Sequence, residues 1–317
     1  MLVYDPTAST LPPGIPTHAV VTLGNFDGVH RGHASLVQNA ARMAHDLGGA
    51  PVLALAFDPH PRTLLGKTLP APLTTLAGRL DLLRAAGATQ VGVLRTSLSL
   101  LAWDAETFFQ SVMVQSLQAR GVVEGDNFCF GRNRQGTIHT LKDFCGHSGI
   151  SLGVVQAIEA AGQEVSSTRI RQALAEGAVD QACQWLGRPY RLSGVVVPGA
   201  RRGRVLGFPT ANLQPLTVVP APGVYACRAR LADGSVLQAA THIGPAPTFG
   251  EELPRVEAHL LDFQGDLYGQ TIALEFLARL RDPQTFPSVE ALVRQLGMDV
   301  RVAQNVCDFH TQRDNLR

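Results

Sequence analysis

Two hydrophobic periods alternate along the first half of the chain. Short apolar runs bounded by glycine or proline occur at His18 to Gly24 ("HAVVTLG"), Pro51 to Phe57 ("PVLALAF"), Gln90 to Leu94 ("QVGVL"), Arg120 to Gly125 ("RGVVEG") and Ser151 to Val155 ("SLGVV"). Runs that are apolar at nearly every position predict strands buried on both faces, as in a parallel sheet. Between the first two, Leu36, Val37, Ala40, Ala41, Ala44 and Leu47 recur at steps of three and four. That period predicts a helix, starting near Gly32, that lays one apolar stripe on the sheet. Further helices are predicted at Leu76 to Ala86, Ala105 to Ala119 and Thr140 to Gly149. The alternation predicts an α/β domain with an open, doubly wound parallel sheet, whose ligands sit at the carboxyl ends of the strands.

After about Trp185 the punctuation changes. "GRPYRLSGVVVPG", "GVYACRARLADGSVLQAATHIG" and "VEAHLLDFQGDLYGQTIALEFLARL" hold strand-like segments separated by turn signals such as "ADGS" and "FQGD", without a long helix between them. They predict an antiparallel β-barrel of small size. From Ser288 the helical period returns, which predicts a terminal helix packed on the barrel. A boundary between Trp185 and Tyr190 divides the chain into residues 1–186 and 187–317, with neither an internal repeat nor a low-complexity linker.

Composition narrows the function. At 317 residues and 45% hydrophobic, the chain can build a core in each of two domains. Its 27 Lys and Arg against 26 Asp and Glu leave no global field to draw it to nucleic acid or an anionic membrane, so any anion site must be local. No basic segment followed by an apolar one opens the sequence, and no apolar run reaches the roughly 18 residues of a membrane span. Five dispersed cysteines without a CxxC pair point to reduced thiols, and with the rest to a cytoplasmic protein. These patterns leave the oligomeric state open.

The candidate chemistry begins in "GNFDGVHRGH", Gly24 to His33, at a predicted strand end. A following helix would offer free amide N–H groups and a partial positive charge, while Gly24, Gly28 and Gly32 allow tight turns and close backbone approach. Three readings of His30 and His33 stay open: a structural pair, metal ligands completed by Asp58 and His60 of "FDPHP", or proton donors to phosphate oxygens. The strand-end position suits phosphate best.

"GNFDGVHRGH" closely resembles the HxGH signature of the nucleotidyltransferase superfamily. In its longer form, GxFDGVHxGH, it resembles the bacterial bifunctional riboflavin kinase / FMN adenylyltransferase (FAD synthetase) family. "FDPHPRTLL", Phe57 to Leu65, is similar to that family's PHP loop, and "VVEGDNFCFGRNRQGT", Val122 to Thr137, to its flavin-side loop. The resemblance implies ATP and phosphate binding by Gly24, Asn25, Phe26, Asp27, Gly28 and Gly32. It implies flavin contacts from Asp58, His60, Asn127 and Phe128, with Phe130 as a further aromatic and core packing expected for at least one of the two phenylalanines. "SSTRIRQAL", Ser166 to Leu174, matches the family's SSTxIR motif. Ser and Thr there cap a new helix, leaving the amides of Ser167 and Thr168 for an anion, while Arg171 adds a charge-assisted grip.

In the second half, "GARRGRVLGFPTANL", Gly199 to Leu213, resembles the riboflavin kinase signature. It implies nucleotide binding by Gly203, Arg204, Gly207 and Pro209, and Mg²⁺ contacts from Thr210 and Asn212. "VEAHLLDFQGDLYG" places Glu257 and His259 on one strand face. The resemblance makes Glu257 the general base, where a solvent-facing acid is the plainer reading. Where the family reads NIGxRPTF this chain reads "HIGPAPTF", so His242 stands for Asn and Ala246 for Arg.

The motifs follow in the family's order from about Val20 to about Arg301, and no Walker-type GxxxxGK[ST] competes. The implied activity is phosphorylation of riboflavin to FMN, then adenylylation of FMN to FAD, with ATP and Mg²⁺ in both steps. His30, His33, Arg171 and Glu257 are its catalytic residues. Two alternatives remain: an adenylyltransferase with a degenerate kinase half, which His242 and Ala246 motivate, and a catalytically silent flavin-binding protein on the same folds.

Overall fold

The computed structural model describes residues 1–8, 10–160, 162–199, 202–244 and 254–315. Ala246 therefore lies outside the described residues. The chain forms two compact units, Met1–Pro70 with Leu76–Val165, and Ala71–Thr75 with Ser166–Arg317.

The first unit is built on six strands: β1 (Leu2–Tyr4), β2 (Val20–Gly24), β3 (Val52–Asp58), β4 (Gln90–Arg95), β5 (Gly121–Gly125) and β6 (Ser151–Val155). They lie in the order β1-β4-β3-β2-β5-β6, and every pairing is parallel. β3 is buried from Val52 to Ala56, as continuous apolar runs require when both faces are covered. Helix α1 (Arg31–Asp46) buries Val37, Ala40 and Ala44, and α2 (Leu76–Ala85) buries Leu80 and Leu83 against the same face. The other face carries α3 (Ile138–Ser148) and the segment around Phe108 to Leu117.

Two elements depart from the pattern. β1 is only three residues long, too short to show a period, yet it extends the sheet by pairing with Gly92–Leu94. The helix predicted at Ala105 to Ala119 winds as one α-turn, Ala105–Phe108, and then as a π-helix over Phe109–Ser116. The wider winding still buries Phe109, Val112 and Met113, which is all that the apolar spacing reports.

In the second unit, α4 (Ser167–Ala175) and α5 (Val179–Leu186) precede the strands. β7 (Tyr190–Val197), β8 (Ala211–Pro215), β9 (Gly223–Arg230), β10 (Val236–Ile243), β11 (Val256–Leu260) and β12 (Thr271–Arg281) close into a barrel in the order β7-β8-β11-β10-β9-β12. Alternate residues point inward: Val256, Ala258 and Leu260 of β11 are buried, while Glu257 and His259 between them are half-buried on the outer face. The terminal helix α6 (Val289–Asn315) packs on β9, β10 and β12, burying Ala303 and Cys307.

Candidate active sites

The first unit changes winding direction between β2 and β5: β3 and β4 continue to one side of β2, β5 and β6 to the other. A crevice outside the carboxyl ends of strands at such a switch point is where open α/β sheets bind ligands. β2 delivers its end, Gly24, to this place. β2 stays paired with β3 as far as Gly24 and Ala56, and β5 with β6 as far as Gly125 and Val155, but β2 and β5 pair only at Val20–Gly121 and Val21–Val122. The two central strands therefore part before they end.

Between Gly24 and α1 the backbone takes positive φ at Phe26 (48°), Gly28 (85°) and Val29 (38°). For Phe26 and Val29 this is a strained conformation, of the order of 1–3 kcal/mol each, of the kind that clusters at functional sites. Burial of both side chains in the α1 face of the core offsets it. His30 is the N-cap of α1, its Nδ1 accepting the His33 N–H at 3.4 Å. An accepting ring nitrogen carries no proton, so the neutral ring holds its proton on Nε2 as a donor.

The His33 ring stacks on the His30 ring, centroids 3.7 Å apart at 19°, and Phe26 meets His33 edge-on. Gly32 makes room for this: a Cβ there would come within 3.1 Å of the His30 ring. No acidic residue occupies the first turn of this 16-residue helix, so no carboxylate of its own offsets the positive end of its dipole. Asn25 keeps a buried Oδ1 without a hydrogen-bond partner among the described residues, an acceptor suited to a ligand N–H or O–H. Asp27 pairs with Arg79 of α2 at 3.4 Å, a partner that the motif did not reveal.

The residues predicted to touch flavin divide. Asp58 is exposed at the end of β3, joined to Pro59 by a cis peptide bond. His60 caps the short helix Pro61–Leu64, its Nδ1 accepting the Arg62 N–H at 3.1 Å. Among the described residues no group of three or more His, Cys, Asp or Glu is placed to hold a metal ion. Asn127 is exposed and Phe128 half-buried, its ring stacked on Phe130 at 5.6 Å. Phe130 itself belongs to the core, so of the two aromatics it is Phe128 that lies on the outer side of the stack.

In the second unit Ser166 alone caps α4, its hydroxyl accepting the Arg169 N–H at 3.4 Å, while Ser167 and Thr168 fill the first two helical positions. Arg171 is braced by two carbonyls, donating from Nε to Ala71 at 3.0 Å and from Nη1 to Ser167 at 3.3 Å.

The barrel brings together residues far apart in sequence. Glu257 of β11 pairs in register with Asn212 of β8 on one side and with His242 of β10 on the other, so the three form a row across neighbouring strands. Cross-strand neighbours stand about 5 Å apart at Cβ. Desolvation at the barrel wall holds the His242 imidazole below its ordinary pKa, against the pull of the Glu257 carboxylate.

The loop before β8 folds closely onto this row. A Cβ on Gly203 would collide with the Phe208 carbonyl oxygen, and one on Gly199 with the Asn212 amide. Gly203 accepts the Phe208 N–H at 2.9 Å, Gly207 has φ 85°, and Arg204 is exposed. His259 donates from Nδ1 to the Pro209 carbonyl at 2.8 Å, which fixes the approach to Thr210.

Two buried glutamates were not singled out by any motif. Glu124 on β5 is 1% exposed, and its Oε1 accepts the Leu23 N–H at 2.7 Å across the gap where β2 and β5 part. Burial lifts its carboxyl well above the usual carboxylate range. Glu275 on β12 is 4% exposed and accepts from Arg191 at 2.6 Å and Arg230 at 2.5 Å, with Arg228 at 3.2 Å. Burial pushes its carboxyl up, but the guanidinium hydrogen bonds prevail and hold it below the usual value.

A parallel-sheet unit with an HxGH helix start, joined to a barrel with a PTAN loop facing a glutamate, defines a two-part transferase acting on phosphate groups. An FAD synthetase family model matches residues 13–169, and a riboflavin kinase model matches residues 186–307. The chain belongs to the bifunctional riboflavin kinase/FMN adenylyltransferase family. Relatives of that name include one from Pseudomonas fluorescens, 37% identical over 91% of this chain and 94% of its own, and one from Escherichia coli K12, 35% identical over 90% and 91%. A crystal structure described as a macrolide-efflux protein from Streptococcus pneumoniae superposes with a TM-score of 0.84 at 32% identity, covering 96% of this chain and 99% of that one. Among the described residues no helix is long and apolar enough to cross a membrane.

Proposed function

We propose that this chain phosphorylates riboflavin to FMN in its barrel and adenylylates FMN to FAD in its parallel-sheet unit. The observation that carries the reading is the stacked His30–His33 pair at the first turn of α1, opening onto the switch point of the sheet. In the adenylylation step the phosphate of FMN attacks the α-phosphate of ATP, and pyrophosphate leaves. The incoming group is already an anion, so no side-chain nucleophile is needed. The chain's task is to hold two repelling anions in line and to offset charge as it develops.

For that task the start of α1 and the His30 ring would supply donors, with His33 stacked beside it. Gly24, Asn25, Phe26, Asp27, Gly28 and Gly32 shape the ATP cradle, and the buried Asn25 acceptor supports this role. Phosphate binding is likewise proposed for Ser167, Thr168 and Arg171, supported by their place in the first turns of the Ser166-capped helix α4 and by the bracing of the guanidinium. Asp58, His60, Asn127 and Phe128 are the proposed flavin contacts, Phe128 through its ring face.

In the barrel, Glu257 accepts the proton of the riboflavin 5'-hydroxyl as that oxygen attacks the γ-phosphate of ATP, giving FMN and ADP. Gly203, Arg204, Gly207 and Pro209 cover the nucleotide. Mg²⁺ fits the residues present: Thr210 and Asn212 offer hard oxygen donors, and the Gly199 backbone cradles the Asn212 amide where a Cβ would intrude. When bound, the ion neutralises charge on the transferring phosphate. The five cysteines, free thiols throughout, suit work in the reducing cytoplasm.

Chromatographic separation of flavins after incubation with riboflavin, ATP and Mg²⁺ tests both halves at once. FMN and FAD are the expected products. FAD formed only from supplied FMN would mean a degenerate kinase, a reading that the match of both family models disfavours. Flavin binding without turnover would overturn the proposal.

A further inference from the structure

Where β2 and β5 part, the Leu23 N–H has lost the β5 carbonyl that a continued ladder would supply. β5 supplies a side-chain oxygen in its place, from Glu124. A buried N–H must be satisfied, and here the satisfying group bridges β5 to β2 one residue before Gly24. We propose that Glu124 is a positioning residue for FMN adenylylation: it stands in for the missing ladder bond, holds β2 and β5 apart at the crevice, and so fixes the direction in which Gly24–His33 leaves the sheet. The proposal rests on reading that crevice as the adenylylation site.

The chemistry of the residue fits the task. An apolar side chain would leave the Leu23 amide unsatisfied, and a cation would repel it. From β2 the Leu23 amide faces Glu124, and the layer packed on that face of the sheet is apolar, through Phe109, Val112, Phe130 and Leu141. Burial raises its carboxyl, and the Leu23 hydrogen bond pulls the other way. Burial thus favours the protonated carboxyl, which adds no negative charge to a crevice that must admit a triphosphate and a flavin phosphate.

Two variants of the full chain separate positioning from mere packing. Glu124→Gln keeps an acceptor for the Leu23 amide but cannot ionise; Glu124→Leu keeps the volume and removes the acceptor. Glu124→Leu is expected to lower the kcat of FMN adenylylation at least tenfold, roughly the cost of misplacing a catalytic group by a fraction of an ångström, with riboflavin phosphorylation unchanged. Glu124→Gln, which keeps the acceptor, is expected to stay within about twofold of the wild type.

The linkage has a definite sign. A carboxyl held above its ordinary value in the fold binds more protons folded than unfolded, so its stabilisation is present at low pH and is lost as pH rises from the ordinary value to the raised one. The melting temperature of Glu124→Gln should therefore gain on the wild type as pH rises above the ordinary carboxylate range. Wild-type adenylylation in Glu124→Leu, or a Glu124→Gln as slow as Glu124→Leu, would overturn the proposal. If the Leu variant does not fold, the rate of Glu124→Gln against the wild type decides alone. His33→Ala run in parallel tells the two readings apart: if it leaves adenylylation intact, the crevice is not the site, whatever Glu124 does.

Discussion

The two candidate sites are assembled in opposite ways. In the parallel-sheet unit a single stretch of ten residues, Gly24 to His33, makes the turn, caps the helix and stacks the two imidazoles. In the barrel, Asn212, His242 and Glu257 meet only because β8, β11 and β10 are in register. A site built from a local motif depends on a few backbone angles; a site built across strands depends on the closure of the whole sheet. The glutamates repeat the contrast. Glu124 is buried beside one amide and is pushed up, whereas Glu275 is buried among three arginines and is held down.

The largest effects should come from cutting each site at its centre. Glu257→Gln is expected to lower FMN formation by a hundredfold or more, as loss of a positioned base does, and to leave FAD synthesis from supplied FMN intact. His33→Ala should do the reverse, with roughly a hundredfold loss of adenylylation and undisturbed kinase turnover. Steady-state rates with the flavins separated by chromatography check both, and parallel loss of both activities in a folded variant would erase the division.

Next in size is Glu275→Leu, which strands three guanidiniums and should destabilise the barrel by about 3–5 kcal/mol. Trp185 lies in that unit and Trp103 in the other, so denaturant curves followed by fluorescence in a Trp103→Phe background read the barrel by itself. Because Glu275 is held below its ordinary value, its contribution is present above that value and is lost as pH falls through the lowered one. Acid should thus weaken the barrel, the opposite of the direction expected for Glu124.

A finer cut is Gly32→Ala. Its Cβ, 3.1 Å from the His30 ring, must displace that ring, and adenylylation should fall about tenfold with little loss of stability. The smallest effect is expected for His242→Asn. A cross-strand neighbour is worth roughly 0.2–1 kcal/mol, so kinase kcat should change by at most about fivefold. A larger loss would make His242 part of this barrel's machinery.

The same contrast decides what the amino-acid sequence could disclose. Apolar runs placed five of the six parallel strands, and the three-and-four spacing placed α1, because burial on two faces and on one stripe leave different periods. β1 was too short to leave one, and apolar spacing cannot tell an α-turn from the π-winding at Phe109–Ser116. His30 and His33 stood out because their chemistry is local. The pairing of Asp27 with Arg79, of Glu124 with the Leu23 amide, and of His259 with Pro209 joins residues 52, 101 and 50 positions apart. A single sequence records no trace of such distances. Glu124 did carry one faint mark, a lone acid ending an otherwise apolar run.

The row Asn212–Glu257–His242 has a practical use. Side chains alternate faces along a strand, so a slip of one residue between β8 and β11, or between β11 and β10, would turn a member of the row into the barrel interior. With Glu257 as the proposed base, FMN output per molecule would then count correctly registered barrels. Refolding yields, or libraries of barrel variants, can be scored by flavin phosphorylation alone, as a ruler of strand alignment accurate to a single residue.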